Sequence, residues 1–309
     1  MRATTTALRG TYHHLHVQWP ASSVITTYQR YFSSQDIPEP TIDLHHLQAS
    51  ILSQTPQISR HLSTYGYYTT TSLLPQESIF TLRKQAISLR KQGRYVPSFS
   101  EKLEGSKIKR FDKKGVYACE PDGGDYYTAP DLISYIATLL QTLPSGLNEQ
   151  LMTKEFELSN AAFNAKLAVT MNGAWYPCHI DNPVGNCEDV RKLTAILYLN
   201  PDWIEGDGGE IRLFLKDENV TVKKMDLSPI GGRLLLFWSD EIPHEVLPTS
   251  ALELTSANAS DETSEDNAKV LYSDSDRYAL TVWIPTENRG VLHDERSKFS
   301  KLKDLVHFG

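Results

Sequence analysis

The 309-residue sequence has little cysteine: Cys119, Cys178 and Cys187 are all it carries. Three residues so widely spaced build neither a disulfide framework nor a cysteine-rich zinc finger, and they suit a reducing compartment. No apolar run reaches the roughly 18–20 residues that a membrane span needs. Positive charge is not in excess either. With 31 Lys and Arg against 38 Asp and Glu, the net charge is -7, which argues against a nucleic-acid partner held through its phosphates. The first 34 residues have no Asp, Glu or Lys, yet they carry Arg2, Arg9 and Arg30 among many Ser and Thr. Residues 1–40 are therefore read as a segment apart, either a disordered tail or a mitochondrial targeting segment.

What is present has a globular balance, 40 % hydrophobic and 22 % charged. Residues 41–162 read as a helical supporting region. Leu44, Leu47, Ile51 and Leu52 have helical spacing over 41–53. Ile79, Leu82, Ala86 and Leu89 predict a helix over 75–92 that starts at Pro75 and stops at Gly93. A third helix is expected over 131–143, bounded by Pro130 and Pro144. The basic stretch from Glu101 to Gly115, followed by Asp122-Gly123-Gly124, reads as loop with short strands.

The pattern changes near residue 163. Short β-rich runs follow at 166–171, 193–199, 211–215, 220–225, 233–238, 245–247 and 278–284, punctuated by Gly208-Gly209 and Gly231-Gly232. Many short strands at this spacing predict a sandwich or barrel over 163–290. Residues 250–276 interrupt it with seven acidic residues, one Lys and little that packs, so 250–275 reads as a flexible acidic insert. Residues 291–309 read as a C-terminal tail.

His179-Ile180-Asp181 opens the β half. On an extended chain, residues two apart point to one side, so an imidazole and a carboxylate converge. His244 follows the apolar strand 234–238. Two His and one carboxylate make the open facial set of non-haem Fe(II) oxygenases. Zinc accepts the same donors. In a chain with ten histidines, His-x-Asp also arises as an ordinary hydrogen-bonded pair. Arg277 starts a strand on which Ala279, Thr281 and Trp283 share its face. A guanidinium there offers a fixed fork to a carboxylate, or simply a surface ion pair. Tyr198 reads as a phenolic donor or a core aromatic.

The run Tyr176-Pro177-Cys178-His179-Ile180-Asp181-Asn182-Pro183 resembles the prolyl 4-hydroxylases that act on hypoxia-inducible factor, and their protist relatives. So do Ala195–Trp203, Gly208–Phe214, Leu235–Asp240, Pro243–Val246 and Arg277–Trp283, in the family's order. The resemblance implies a mainly β fold with supporting α: a double-stranded β-helix (jelly-roll, cupin-like) preceded by a helical N-terminal region. It implies Fe(II) on His179, Asp181 and His244, and 2-oxoglutarate held by Arg277 and Tyr198. Thr281, Trp283, Ile211, Tyr176 and Val246 are implied to line the pocket. The implied enzyme is a peptidyl-proline 4-dioxygenase. It uses O2, is supported by ascorbate, and yields succinate and CO2 with a hydroxylated proline in a protein or peptide substrate. A monomer in the cytoplasm or nucleus is expected, a mitochondrion being the alternative. Two places depart from the family: 168–173 lacks its tyrosine, and Cys178 stands where arginine is common. The other readings are a 2-oxoglutarate oxygenase for another side chain or a small molecule, and a non-catalytic β-helix scaffold.

Overall fold

The computed structural model describes residues 37–104, 107–150, 156–183, 189–216, 221–250 and 276–306. The N-terminal segment 1–36 and residues 251–275 of the acidic insert lie outside the described residues.

Three long helices come first. Helix α1 (Leu44–Tyr65) is capped by Asp43, whose carboxylate accepts from the His46 N–H at 2.9 Å. It buries Leu47, Ile51, Ile58 and Leu62 on one face. It outruns the predicted 41–53 by passing through Pro56. The carbonyl that loses its partner there belongs to Leu52, which lies on the exposed side of the helix. Helix α2 (Gln76–Lys91) matches its predicted span, and the chain turns out at Gly93 with φ +76°.

Helix α3 (Pro130–Gln150) corrects the expectation that Pro144 ends it. Leu143 and Leu147 are both fully buried, so the apolar face continues beyond the proline. Gly146 packs on Thr55 of α1, where a Cβ would sit only 3.0 Å from the Thr55 hydroxyl. Packing between helices outweighs one lost backbone bond here.

The strands are β1 (Tyr67–Thr70), β2 (Val96–Glu104), β3 (Lys107–Cys119), β4 (Asn164–Thr170), β5 (Tyr176–His179), β6 (Arg191–Tyr198), β7 (Ile211–Lys216), β8 (Val222–Leu227), β9 (Leu234–Trp238), β10 (His244–Val246) and β11 (Arg277–Pro285). They form a seven-stranded sheet ordered β1-β9-β6-β11-β4-β3-β2 and a four-stranded sheet ordered β5-β10-β7-β8. The pairings are antiparallel, and the two sheets face one another as a double-stranded β-helix.

Three strands of the large sheet, β1 to β3, come from before residue 163. The stretch expected as loop with short strands is instead the long β2–β3 hairpin. Only Val116–Cys119 of β3 pairs with β4, and only there is the sequence of β3 continuously apolar. Its Lys-rich remainder gave no such signal.

Each central strand sorts its side chains between two faces. On β4, Ala165, Leu167 and Val169 are buried, while Lys166 and Ala168 between them are partly exposed. On β11 the partly exposed residues are Thr281 and Trp283, the face predicted for Arg277. The buried set packs with the apolar faces of the helices into one core. The other set faces the space between the sheets. C-terminal residues also pack on the body: Phe299 and Leu302 join the core in the segment expected as a tail.

Candidate metal centre

His179 ends β5 and His244 begins β10, and the two are direct antiparallel partners. Their rings lie 4.2 Å apart, centroid to centroid. Asp181 follows two residues after His179, and its Oδ1 lies 3.6 Å from His179 Nε2 and 3.8 Å from His244 Nε2. All three donor atoms fall within 4.8 Å of one another. The spacing read from the sequence is thus realised in space.

Local backbone geometry orients each donor. His179 Nδ1 lies 2.9 Å from the Pro177 carbonyl, and His244 Nδ1 lies 3.1 Å from that of Ile242. A carbonyl only accepts, so both Nδ1 atoms carry a proton, and it is the Nε2 atoms that turn toward Asp181. Burial and then the His179 imidazole pull His244 down to about 4, which leaves it neutral near pH 7. Burial pushes the Asp181 carboxyl up, but His244 and His179, when they carry positive charge, outweigh it and hold the carboxyl well below the usual carboxylate range.

The second oxygen of Asp181 is occupied. Thr194 Oγ1 donates to Oδ2 at 2.7 Å. The Thr194 proton is then used, so the Ser239 hydroxyl 2.8 Å away donates to Thr194. Asn182 anchors the same turn through Nδ2 bonds to the carbonyls of Asp189 and Arg191. Thr194 and Ser239 were not found in the sequence. The one available signal was a lone hydroxyl among Leu193, Ala195, Ile196 and Leu197.

The predicted wall residues also meet. Val246 pairs with Tyr176 on one side and with Ile211 on the other. A register shift between His244 and Val246 brings Tyr176 and His179, three residues apart, to the same side. Their rings contact edge to face at 4.0 Å. From the large sheet, Phe237 packs on the His244 ring at 4.7 Å. Trp283 pairs with Thr194, and its indole N–H is buried without a partner.

Arg277 stands at the other end of this face, and Thr281 lies between it and Trp283. Arg277 is 7 % exposed, its Nε donates to the Gly209 carbonyl at 2.7 Å, and its guanidinium carbon lies 5.0 Å from the Tyr198 ring centroid. Its terminal nitrogens have no hydrogen-bond partner among the described residues. Tyr198 is fully buried, and apart from the Arg277 guanidinium its hydroxyl has no polar partner among the described residues. Burial pushes that phenol up, so it stays a donor. A buried guanidinium beside an unsatisfied phenol matches the needs of a carboxylate. A cavity of ≈ 240 Å³ adjoins Arg277, lined also by Arg83, Asn200, Trp203 and Asp276, and none of the three metal-donor residues lines it.

Residues 165–285 match the 2OG-Fe(II) oxygenase superfamily. The matched stretch holds all three donors, Arg277 and Tyr198. Prolyl hydroxylase EGLN3 of Homo sapiens is 37 % identical over 134 residues, 42 % of this chain and 42 % of that protein. The hypoxia-inducible factor prolyl hydroxylase of Caenorhabditis elegans is 43 % identical over 79 residues, 25 % of this chain and 10 % of that protein. The chain thus spans less than half the length of these curated relatives. A prolyl hydroxylase from Trichoplax adhaerens, solved with a hypoxia inducible factor peptide fragment, aligns with TM-score 0.58 and 26 % identity over 81 % of this chain and 96 % of that one.

Proposed function

We propose that this chain is a 2-oxoglutarate-dependent dioxygenase that hydroxylates a prolyl residue of an intracellular protein at the 4-position. The observation that carries the reading is one pocket face with a three-donor set at one end and an unsatisfied Arg277–Tyr198 pair at the other. A hydrolytic zinc site has no need of the second feature, and a binding scaffold needs neither.

His179, Asp181 and His244 would hold Fe(II), which when bound supplies the chemistry of O2 and of the C–H bond. Three protein donors leave positions open for a chelating co-substrate and O2. Arg277 would pair with the distal carboxylate of 2-oxoglutarate, with Tyr198 donating to the same group. Tyr176, Ile211, Val246, Thr281 and Trp283 would shape the walls and exclude water. Thr194 holds Asp181 so that one oxygen faces the metal. Ascorbate would keep the iron ferrous. We place the protein in the cytoplasm or nucleus, acting as a monomer.

The test is succinate formation from 2-oxoglutarate by the Fe(II)-loaded protein in air, with and without a lysate proteome, followed by mass spectrometry. The expected result is succinate that rises with lysate, and a proline that gains one oxygen at a defined site. Succinate without a modified protein would favour a small-molecule substrate. Bound iron with no succinate would favour the scaffold.

A further inference from the structure

Two lysines share the pocket with the metal donors, and neither has an ion-pair partner among the described residues. Lys166 is the cross-strand partner of Thr281, so both lie on the face that carries Arg277 and Trp283. Its Nζ donates to the Ser98 hydroxyl at 2.9 Å. Lys113 reaches over from the β2–β3 hairpin to the small sheet, where its Nζ stands 3.6 Å from the centre of the Tyr176 ring. That ring touches the His179 imidazole. The one other cation close by, Arg191, is already paired with Asp189.

Two partly buried ammonium groups with no carboxylate directly paired to them are costly, and each makes the other worse. Burial and then Lys166 pull Lys113 down to about 7, against the attraction of Asp181. Burial lowers Lys166 too, again against Asp181 and, more weakly, Glu120. An incoming anion would relieve both. The co-substrate is not that anion. Thr170, not Lys166, pairs with Arg277, and the Lys166 row lies four residues further along β11, about 13 Å away. The Trp283–Thr194 row, which holds Asp181, is only two residues further on. The lysine pair therefore flanks the place where the reacting group of a substrate must sit. Beside it Trp175, the neighbour of Tyr176, is 56 % exposed.

We propose that Lys113 and Lys166 are specificity-determining residues that receive a carboxylate of the peptide substrate, an Asp or Glu flanking the target residue. This rests on the peptidyl-hydroxylase reading above. Tyr176 holds Lys113 in place through its ring face, and Ser98 orients Lys166. A carboxylate set between them makes charge-assisted hydrogen bonds in a partly desolvated site.

The experiment is affinity selection from a synthetic library of proline-centred peptides with varied flanking residues. The full chain is immobilised with Mn(II) and 2-oxoglutarate, and retained peptides are sequenced by mass spectrometry. Asp or Glu should be enriched over Asn or Gln at one flanking position by about tenfold or more. Lys113→Met and Lys166→Met should each collapse that ratio, and Lys113→Arg should keep it. Lys113→Glu should turn the preference toward Lys at the same position. A library retained without acidic enrichment, or the same enrichment in both Met variants, would overturn the proposal. Retained peptides are then offered to the Fe(II) protein in air. Acidic peptides that bind through the lysines but gain no oxygen would sink the prolyl reading and leave the anion site standing. Hydroxylated peptides with no acidic preference would do the reverse.

Discussion

The Arg90 guanidinium lies 2.6 Å from the carboxylate of Asp276, the residue immediately before Arg277. Both partners are buried, at 5 % and 2 % exposure. Arg90 also donates to the Tyr278 hydroxyl at 3.0 Å, and Arg83, about two turns earlier on the same helical face, donates to the Asp276 carbonyl. Helix α2 thus grips the chain on both sides of the residue proposed to hold 2-oxoglutarate. Removing one partner of a buried pair leaves the other charge stranded. Arg90→Met should cost about 3–5 kcal/mol of unfolding free energy. Urea unfolding of the variant checks this, and an unchanged midpoint would show that water reaches Asp276.

Thr194→Val keeps the shape of the side chain and deletes the bond to Asp181 Oδ2. Removing such an outer partner typically weakens metal affinity by about 10–100-fold. Competition with a chelator of known affinity should show a loss in that range. Ser239→Ala acts one bond further out and should cost less.

Gly209 has φ +74°, and a Cβ there would lie 2.7 Å from Arg277 Cδ and 2.9 Å from Thr249 Cγ2. Gly209→Ala must therefore displace Arg277 or the turn that carries the carbonyl it donates to. The Michaelis constant for 2-oxoglutarate should rise on the order of tenfold. Arg277→Ala should raise it at least as far. An unaltered constant in Arg277→Ala would remove this residue from the co-substrate site.

Burial pushes the thiols of Cys119 and Cys178 up to about 12. Their raised folded values contribute stability that is present below the unfolded value of about 8.5 and is lost as pH rises toward 12. At pH 8 both are almost wholly protonated. Alkylation of the native protein at that pH should be slow at these two positions and fast once urea is added, as read by peptide mass spectrometry. Rapid native labelling of Cys178 would instead mark it as a reactive thiol.

The sequence by itself determined the elements and the donors. Apolar spacing over 75–92 located α2, and β-rich runs located the strands from β4 onward except β5. His179, Asp181, His244 and Arg277 were legible because their residue types and order carry the chemistry. Tertiary structure decided the rest. It carried α1 through Pro56 and α3 through Pro144, because long apolar faces had partners on which to pack. It brought His179 opposite His244, set Thr194 behind Asp181, and turned Lys113 and Lys166 toward the same site. Each of these is a relation between strands far apart in the chain. Strand register is fixed by which faces are buried together, and a local pattern of residues holds no record of its partner.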